Sequence, residues 1–286
     1  STAGDVNGDG VADIITSAPL GDPSIPGGRQ NAGVVYVIFG RKVTSPANAF
    51  TDINLLTMVS GPTIGYRILG AAANNQLGWA VSNAGDVNDD GVDDVIIGAR
   101  LASPDANRTG AGIAYVVFGL KNASANDLDL STVVTGSTRG LRILGAVAGD
   151  NCGSAVDSAG DVNGDGIDDI VIGASTASPS VNGVVRGSVG VSYVIFGRSS
   201  SNGASAYANI DLRWIAVSGS SYGFAIYGEG ISDASGYAVS GAGDVNGDGL
   251  HDIIIGAYFA DPVNGPTVRT NAGSAYVIYG RSILRG

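Results

Sequence analysis

The stretch Gly160-Asp161-Val162-Asn163-Gly164-Asp165-Gly166-Ile167-Asp168-Asp169-Ile170-Val171-Ile172-Gly173-Ala174 decides the fold. Its first half is an oxygen-rich turn and its second an apolar, β-branched run, so a tight loop leads straight into a strand. The phrase returns three more times, with leading aspartates Asp5, Asp86 and Asp244 beside Asp161, at periods of 81, 75 and 83 residues. Self-similarity at such intervals marks a repeat architecture.

Outward from the phrase the repeat grows. Each copy runs into Ile14-Ile15, Val95-Ile96-Ile97, Ile170-Val171-Ile172 or Ile253-Ile254-Ile255. After a polar loop comes a second strand: Tyr36-Val37-Ile38-Phe39-Gly40, Tyr115-Val116-Val117-Phe118-Gly119, Tyr193-Val194-Ile195-Phe196-Gly197 and Tyr276-Val277-Ile278-Tyr279-Gly280. A further element leads into the next phrase in three copies: Tyr66 to Gly70 then Gly78 to Ser82, Leu141 to Gly145 then Gly153 to Asp157, and Phe224 to Gly228 then Gly236 to Ser240. These runs do not alternate apolar with polar, so both faces of each sheet are expected to be buried.

Sheets of about four short strands, each covered by its neighbours, are propeller blades. A β-solenoid has shorter repeats, and a two-sheet sandwich does not repeat fourfold. The predicted fold is all-β: a β-propeller of about four four-stranded antiparallel blades, in one domain or segment. The repeats span approximately 1–76, 77–152, 153–235 and 236–286, the first and last incomplete. Strand counts of three, four, four and three leave open edges at both ends. Either the chain closes a four-bladed ring by itself or, the reading favoured here, it is a segment of a longer array.

Composition agrees. Of 286 residues, 44% are hydrophobic and 14% charged, with 46 Gly, which excludes disorder and leaves room for a sizeable core. Glu229 is the only glutamate and every other acid is Asp, a pattern foreign to helical domains. A net charge of −11 gives no footprint for nucleic acid or an anionic membrane. No apolar run reaches the ~18 residues of a spanning helix. Cys152 stands alone, so no intrachain disulfide or cysteine-based zinc site forms. The chain opens at Ser1 without Met or signal peptide, as a processed product or excised piece does.

Each phrase reads Asp-x-Asn-x-Asp-Gly-x-x-Asp. The oxygen ligands expected are Asp5, Asn7, Asp9 and Asp13; Asp86, Asn88, Asp90 and Asp94; Asp161, Asn163, Asp165 and Asp169; and Asp244, Asn246, Asp248 and Asp252. The position-7 carbonyls of Val11, Val92, Ile167 and Leu250 can add another. An all-oxygen set supplemented by water suits Ca²⁺ over Mg²⁺ or Zn²⁺. It is not an EF-hand, because Thr16, Ile97, Ile172 and Ile255 stand where the bidentate Glu belongs. Ordinary Asx turns are the bland alternative. Against it, three clustered carboxylates repel without a cation. Up to four Ca²⁺ ions, one per repeat, would offset eight of the eleven net negative charges.

The loops, together with Ile97-Gly98-Ala99, Ile172-Gly173-Ala174, Ile255-Gly256-Ala257 and the Tyr-Val-Ile-Phe-Gly strands, resemble FG-GAP repeats. Those are the blades of the integrin α-subunit propeller and of many secreted surface proteins. The resemblance spans essentially the whole chain and implies a propeller with calcium between the first two strands of a blade. Integrin rings have seven blades; this chain supplies about four.

Other motifs are set aside. Gly219-Ser220-Ser221-Tyr222-Gly223 matches a hydrolase elbow, but the only histidine is His251 and the pattern precedes a strand. His251 aligns with Ala12, Asp93 and Asp168, a position read as tolerating any residue. Trp79 and Trp214 read as packing residues, and Cys152 as a small buried one. Asn107 and Asn122 head glycosylation sequons. No catalytic residue is assigned and no enzyme expected.

The functional expectation is an extracellular, secreted or cell-surface calcium-binding propeller for adhesion or ligand recognition. Its calcium is structural, and protein or glycan ligands meet the divergent loops 21–33, 103–112, 177–190 and 261–273. The alternative is a subunit of a surface fibre, sheath or appendage, self-associating through its terminal blades. A secreted hydrolase is the least favoured reading.

Overall fold

The computed structural model describes residues 1–25, 28–44, 51–121, 126–135, 137–181, 183–199, 208–215, 220–264 and 267–282. Four antiparallel sheets form its body. Blade 2 is complete: inner strand Leu77–Gly85, second strand Asp94–Ala99, third strand Ile113–Val117 and outer strand Gly140–Leu144. Blade 3 has the same four in Ala155–Gly160, Asp169–Ala174, Val191–Ile195 and Gly223–Tyr227. Blade 4 shows Ser235–Gly243, Asp252–Ala257 and Ser274–Ile278 among the described residues. Blade 1 corrects the expected count of three. Beside Asp13–Ala18, Val34–Ile38 and Gly65–Leu69 it has an inner strand, Thr2–Gly4, paired through Thr2–Ile14 and Gly4–Asp13. No apolar run announces this strand; its backbone pairing alone defines it.

The uninterrupted apolar runs are explained by which way each side chain points. Val95 and Ile97 face blade 1, whereas Ile96 between them faces blade 3. All three are 0% exposed, so both faces of this strand lie in a core. Each such burial contributes about 1.5–3 kcal/mol, more than a typical surface ion pair. Among the described residues three cores separate the four sheets: one between blades 1 and 2, one between 2 and 3, one between 3 and 4. The inner strands pack in that same order.

No fourth core joins blade 4 back to blade 1 among the described residues. Ile254 is 38% exposed where the equivalent Ile96 is fully buried, and Ile14 is 55% exposed where Val95 is fully buried. The open ends read from the sequence are thus uncovered apolar faces, not missing strands alone.

The long connection before an outer strand sends a short segment back to the preceding blade. Leu128–Asp129 pairs in parallel with Gly65–Leu69 of blade 1, and Ile210–Asp211 pairs in parallel with Gly140–Leu144 of blade 2. Each segment then turns, through Leu130–Thr132 or Leu212–Ile215, and plugs the core below with Leu130 and Val133 or Leu212 and Ile215. These clips close the outer edge, the exposed backbone that otherwise invites mispairing.

Candidate metal centre

Each oxygen-rich loop is folded by its own side chains. In blade 1 the Asp9 N–H donates to Asp5 Oδ1 (3.0 Å) and Asn7 Oδ1 (2.9 Å), and the Gly10 N–H donates to Asp5 Oδ2 (2.8 Å). The Val11 N–H donates to Asp9 Oδ1 (2.9 Å). Blades 3 and 4 repeat the pattern with Asp161, Asn163 and Asp165, and with Asp244, Asn246 and Asp248. In blade 2, Asp86 accepts from Asp90 and Gly91, and Asp90 from Val92; Asn88 is buried beside them. The turn requires left-handed backbone at the fourth and sixth positions, which Gly8 (φ 69°) and Gly10 (φ 82°) supply.

The ninth-position carboxylates sit deeper. Asp13, Asp94, Asp169 and Asp252 are at most 1% exposed. One oxygen of each accepts from the loop's second residue: Val6, Val87, Val162 or Val245, at 2.9–3.1 Å. The other accepts from the glycine beyond the third strand: Gly40, Gly119, Gly197 or Gly280, at 2.7–2.9 Å. The residue is a brace tying the loop to two strands. Sequence spacing flagged it as a ligand but gave no sign of this second role.

Burial pushes Asp94 and Asp169 up to about 8 and Asp13 up to about 6, and the neighbouring loop carboxylates push the same way against the two N–H bonds. The sign follows. Without a cation the unfolded carboxyls ionise near pH 4 while the folded ones keep their protons, so the stability that these three groups contribute is fullest below pH 4. It drains away as pH rises through 6 for Asp13 and 8 for the other two. Denaturant titrations of chelated protein from pH 4 to 8 are expected to show that decline.

The donor chemistry fits a hard divalent cation: three carboxylates and one amide oxygen per loop, with no nitrogen or sulfur. A carboxylate that caps one N–H keeps lone pairs for a metal. As the side chains lie, no three His, Cys, Asp or Glu among the described residues stand in metal-enclosing geometry. Positions 1, 3, 5 and 9 are the residues that would hold Ca²⁺, which would neutralise the cluster and pin the strand connection.

The eighth position is corrected by the structure. Read as tolerating any residue, it latches adjacent blades in three of its four copies. Asp93 Oδ2 accepts the Asp5 N–H (2.7 Å), Asp168 Oδ2 accepts the Asp86 N–H (3.0 Å), and His251 Nδ1 accepts the Asp161 N–H (3.0 Å). All three are acceptors reaching the first residue of the preceding loop. Ala12 belongs to the first blade and has no preceding loop here to reach. The glycines before those loops must stay glycine: a Cβ on Gly4, Gly85 or Gly160 would lie 2.3, 2.2 or 1.7 Å from the latching side chain, at positive φ. Replacing His251 by Ala is expected to cost about 0.5–1.5 kcal/mol in denaturant unfolding, with Asp restoring most of it.

The repeat unit now defined begins at an inner strand, carries the loop and ends on the third strand. A model of the FG-GAP repeat matches those same units, residues 1–38, 77–117, 153–195 and 235–278, more than half of the chain. The chain belongs to the FG-GAP repeat family. The outer strands and clips fall between the matched FG-GAP units.

Among relatives, "Integrin alpha pat-2" of Caenorhabditis briggsae is 27% identical over 90% of this chain and 17% of its own length. "Phosphatidylinositol-glycan-specific phospholipase D" of Dictyostelium discoideum is 29% identical over 81% of this chain and 23% of its own. The human protein of that name is 33% identical over 71% and 21%. The chain therefore spans about a fifth of the length of these relatives.

On the FG-GAP frame the remaining sequence motifs find their places. Ser221 lies in an exposed turn that enters the outer strand Gly223–Tyr227, not a helix, while His251 serves its latch; Gly219 lies outside the described residues. Cys152 is a free thiol in the core between blades 2 and 3, where burial pushes its pKa far up. Asn107 is exposed, and Asn122 lies outside the described residues. The reading of the tryptophans as packing residues is corrected: Trp79 is 44% exposed and Trp214 69%. Trp79 instead stacks under the Arg100 guanidinium, 3.1 Å from its ring centroid. No helix of the described residues is long and apolar enough to cross a membrane.

Proposed function

We propose that this FG-GAP chain is an extracellular calcium-binding module for adhesion or ligand recognition, its calcium structural. The observation that carries the recognition half is an exposed aromatic surface beside the divergent loops. Trp79 with Arg100 on blade 2 and Tyr237 with Tyr258 on blade 4 occupy equivalent positions, on the inner strand and just past the second strand. Tyr237 stacks on Tyr258 at 5.1 Å, and Tyr258 meets Phe259 edge-on at 4.7 Å. Tyr237, Tyr258 and Phe259 are 55, 59 and 45% exposed, a large unburied aromatic area on a rigid frame. Such patches mark interaction sites, and both proteins and sugars bind on them. Likeness to proteins named integrin alpha supports the same reading.

A panel of matrix proteins and glycans, probed against immobilised chain with calcium, tests it. A binder lost on Tyr237→Ala at unchanged Tm supports the reading; no binder in the panel, or one indifferent to Tyr237 and Trp79, overturns it. The uncovered faces at Ile14 and Ile254 favour a second reading, assembly through terminal blades. Scattering that finds only monomers, with and without calcium, removes it.

A further inference from the structure

The geometry points to a peptide-binding seat on the outer strand of blade 3, Gly223–Tyr227, built to take an extended segment of pattern apolar-Asp-Leu-x-x-apolar as an added parallel strand. Two copies of this seat are already filled within the chain. On blade 1 the occupant is Leu128-Asp129-Leu130 followed by Val133; on blade 2 it is Ile210-Asp211-Leu212 followed by Ile215. In both, an arginine four residues before a loop glycine grips the occupant's aspartate. Arg29 donates to both oxygens of Asp129 (2.7 and 2.9 Å) and to the Gly70 carbonyl (2.6 Å). Arg108 donates to Asp211 (3.1 Å) and to the Gly145 carbonyl (2.8 Å).

Blade 3 carries every part of the seat. Arg186 holds the same sequence position before Gly190, and its guanidinium donates to the Glu229 carbonyl, one residue along from the equivalent Gly228. The Glu229 carboxylate accepts from the Tyr276 hydroxyl (3.0 Å). Gly223–Tyr227 pairs only with Val191–Ile195 among the described residues. Among the described residues, the core beneath, between blades 3 and 4, has none of the three apolar plugs that a clip supplies. Phe224 is accordingly 38% exposed, where its equivalents Tyr66 and Leu141 are 6% and 5% exposed. By the register of the filled seats, an incoming segment sets its first apolar residue opposite Ile226 and its aspartate opposite Tyr227. Main-chain pairing supplies affinity, and the arginine and the apolar gap supply selectivity. The occupant is therefore an extended strand of that sequence chemistry, whose aspartate pairs with Arg186. This seat is separate from the metal loops and stands whether or not they bind calcium.

The test uses the chain's own clip as a probe. A fluorescein-labelled, end-capped peptide of residues 209–215 is titrated with the full chain and followed by anisotropy. Saturable binding is expected, weakened at least about tenfold when the peptide carries Asp211→Asn, a change that leaves the protein untouched. Arg186→Ala in the protein is expected to weaken it similarly, and hydrogen exchange should slow within Gly223–Tyr227. Absence of saturable binding, equal binding of the Asp211→Asn peptide, or protection confined to another surface overturns the proposal. So does light scattering showing that a second copy of the chain already covers this edge.

Discussion

Asp94→Ala is expected to be among the most destabilising single changes in this protein. It strips the partner from two buried N–H groups, those of Val87 and Gly119, in a site that is 0% exposed. Each buried donor left unsatisfied costs about 1–3 kcal/mol, so unfolding free energy should drop by about 2–6 kcal/mol and Tm by on the order of 10 °C. Asp94→Asn is the informative companion. It keeps the shape and one acceptor oxygen but presents an NH₂ group to one of the two N–H donors, so it should recover only part of the loss. Measured in chelator, the two variants report on the brace alone. Should Asp94→Ala in chelator unfold at the wild-type denaturant midpoint, the two hydrogen bonds have no energetic role and the brace is wrong.

Chelation of wild-type protein at neutral pH is expected to lower Tm by well over about 10 °C, with calcium and not magnesium restoring it. Linkage sets the scale. A site held at a hundred times its Kd stabilises the fold by about 2.7 kcal/mol, and four such sites reach on the order of 10 kcal/mol. The electrostatics point the same way. A cation offsets the burial that disfavours the anions of Asp13, Asp94 and Asp169 and the repulsion from their loop neighbours. Because protons compete for the same oxygens, calcium should bind more weakly as pH falls from 8 toward 5. Calorimetric titration then reports stoichiometry, up to four ions. A Tm that ignores chelator, with no calorimetric heat on adding calcium, ends the structural-calcium reading.

Much of this was legible from spacing. The four Asp-x-Asn-x-Asp-Gly phrases located the loops, and the unbroken Ile/Val runs announced strands buried on both faces, because a side chain's direction alternates whether or not its chemistry does. The latch was not legible, since Ala12, Asp93, Asp168 and His251 fill one position with three residue types, and what the last three share is only an acceptor atom in reach of one N–H on the preceding loop. Trp79 departs from the inward packing usual for aromatic residues because a cation covers one ring face and solvent meets the rest. The clips do carry a sequence signal: Ile53-Asn54-Leu55, Leu128-Asp129-Leu130 and Ile210-Asp211-Leu212 recur at matching places in three repeats.

What the amino-acid order determined by itself is everything local: turn, strand, donor set and repeat length follow from the φ preferences of glycine, the β-branched runs and the position of each oxygen. Tertiary structure decided everything that one blade asks of another. Which eighth residue latches, which edge is clipped and which face stays bare depend on contacts between residues 60 to 100 positions apart. Such contacts form only when separately folded sheets stack, and stacking answers to the shape and burial of a whole surface, which no single window of sequence contains.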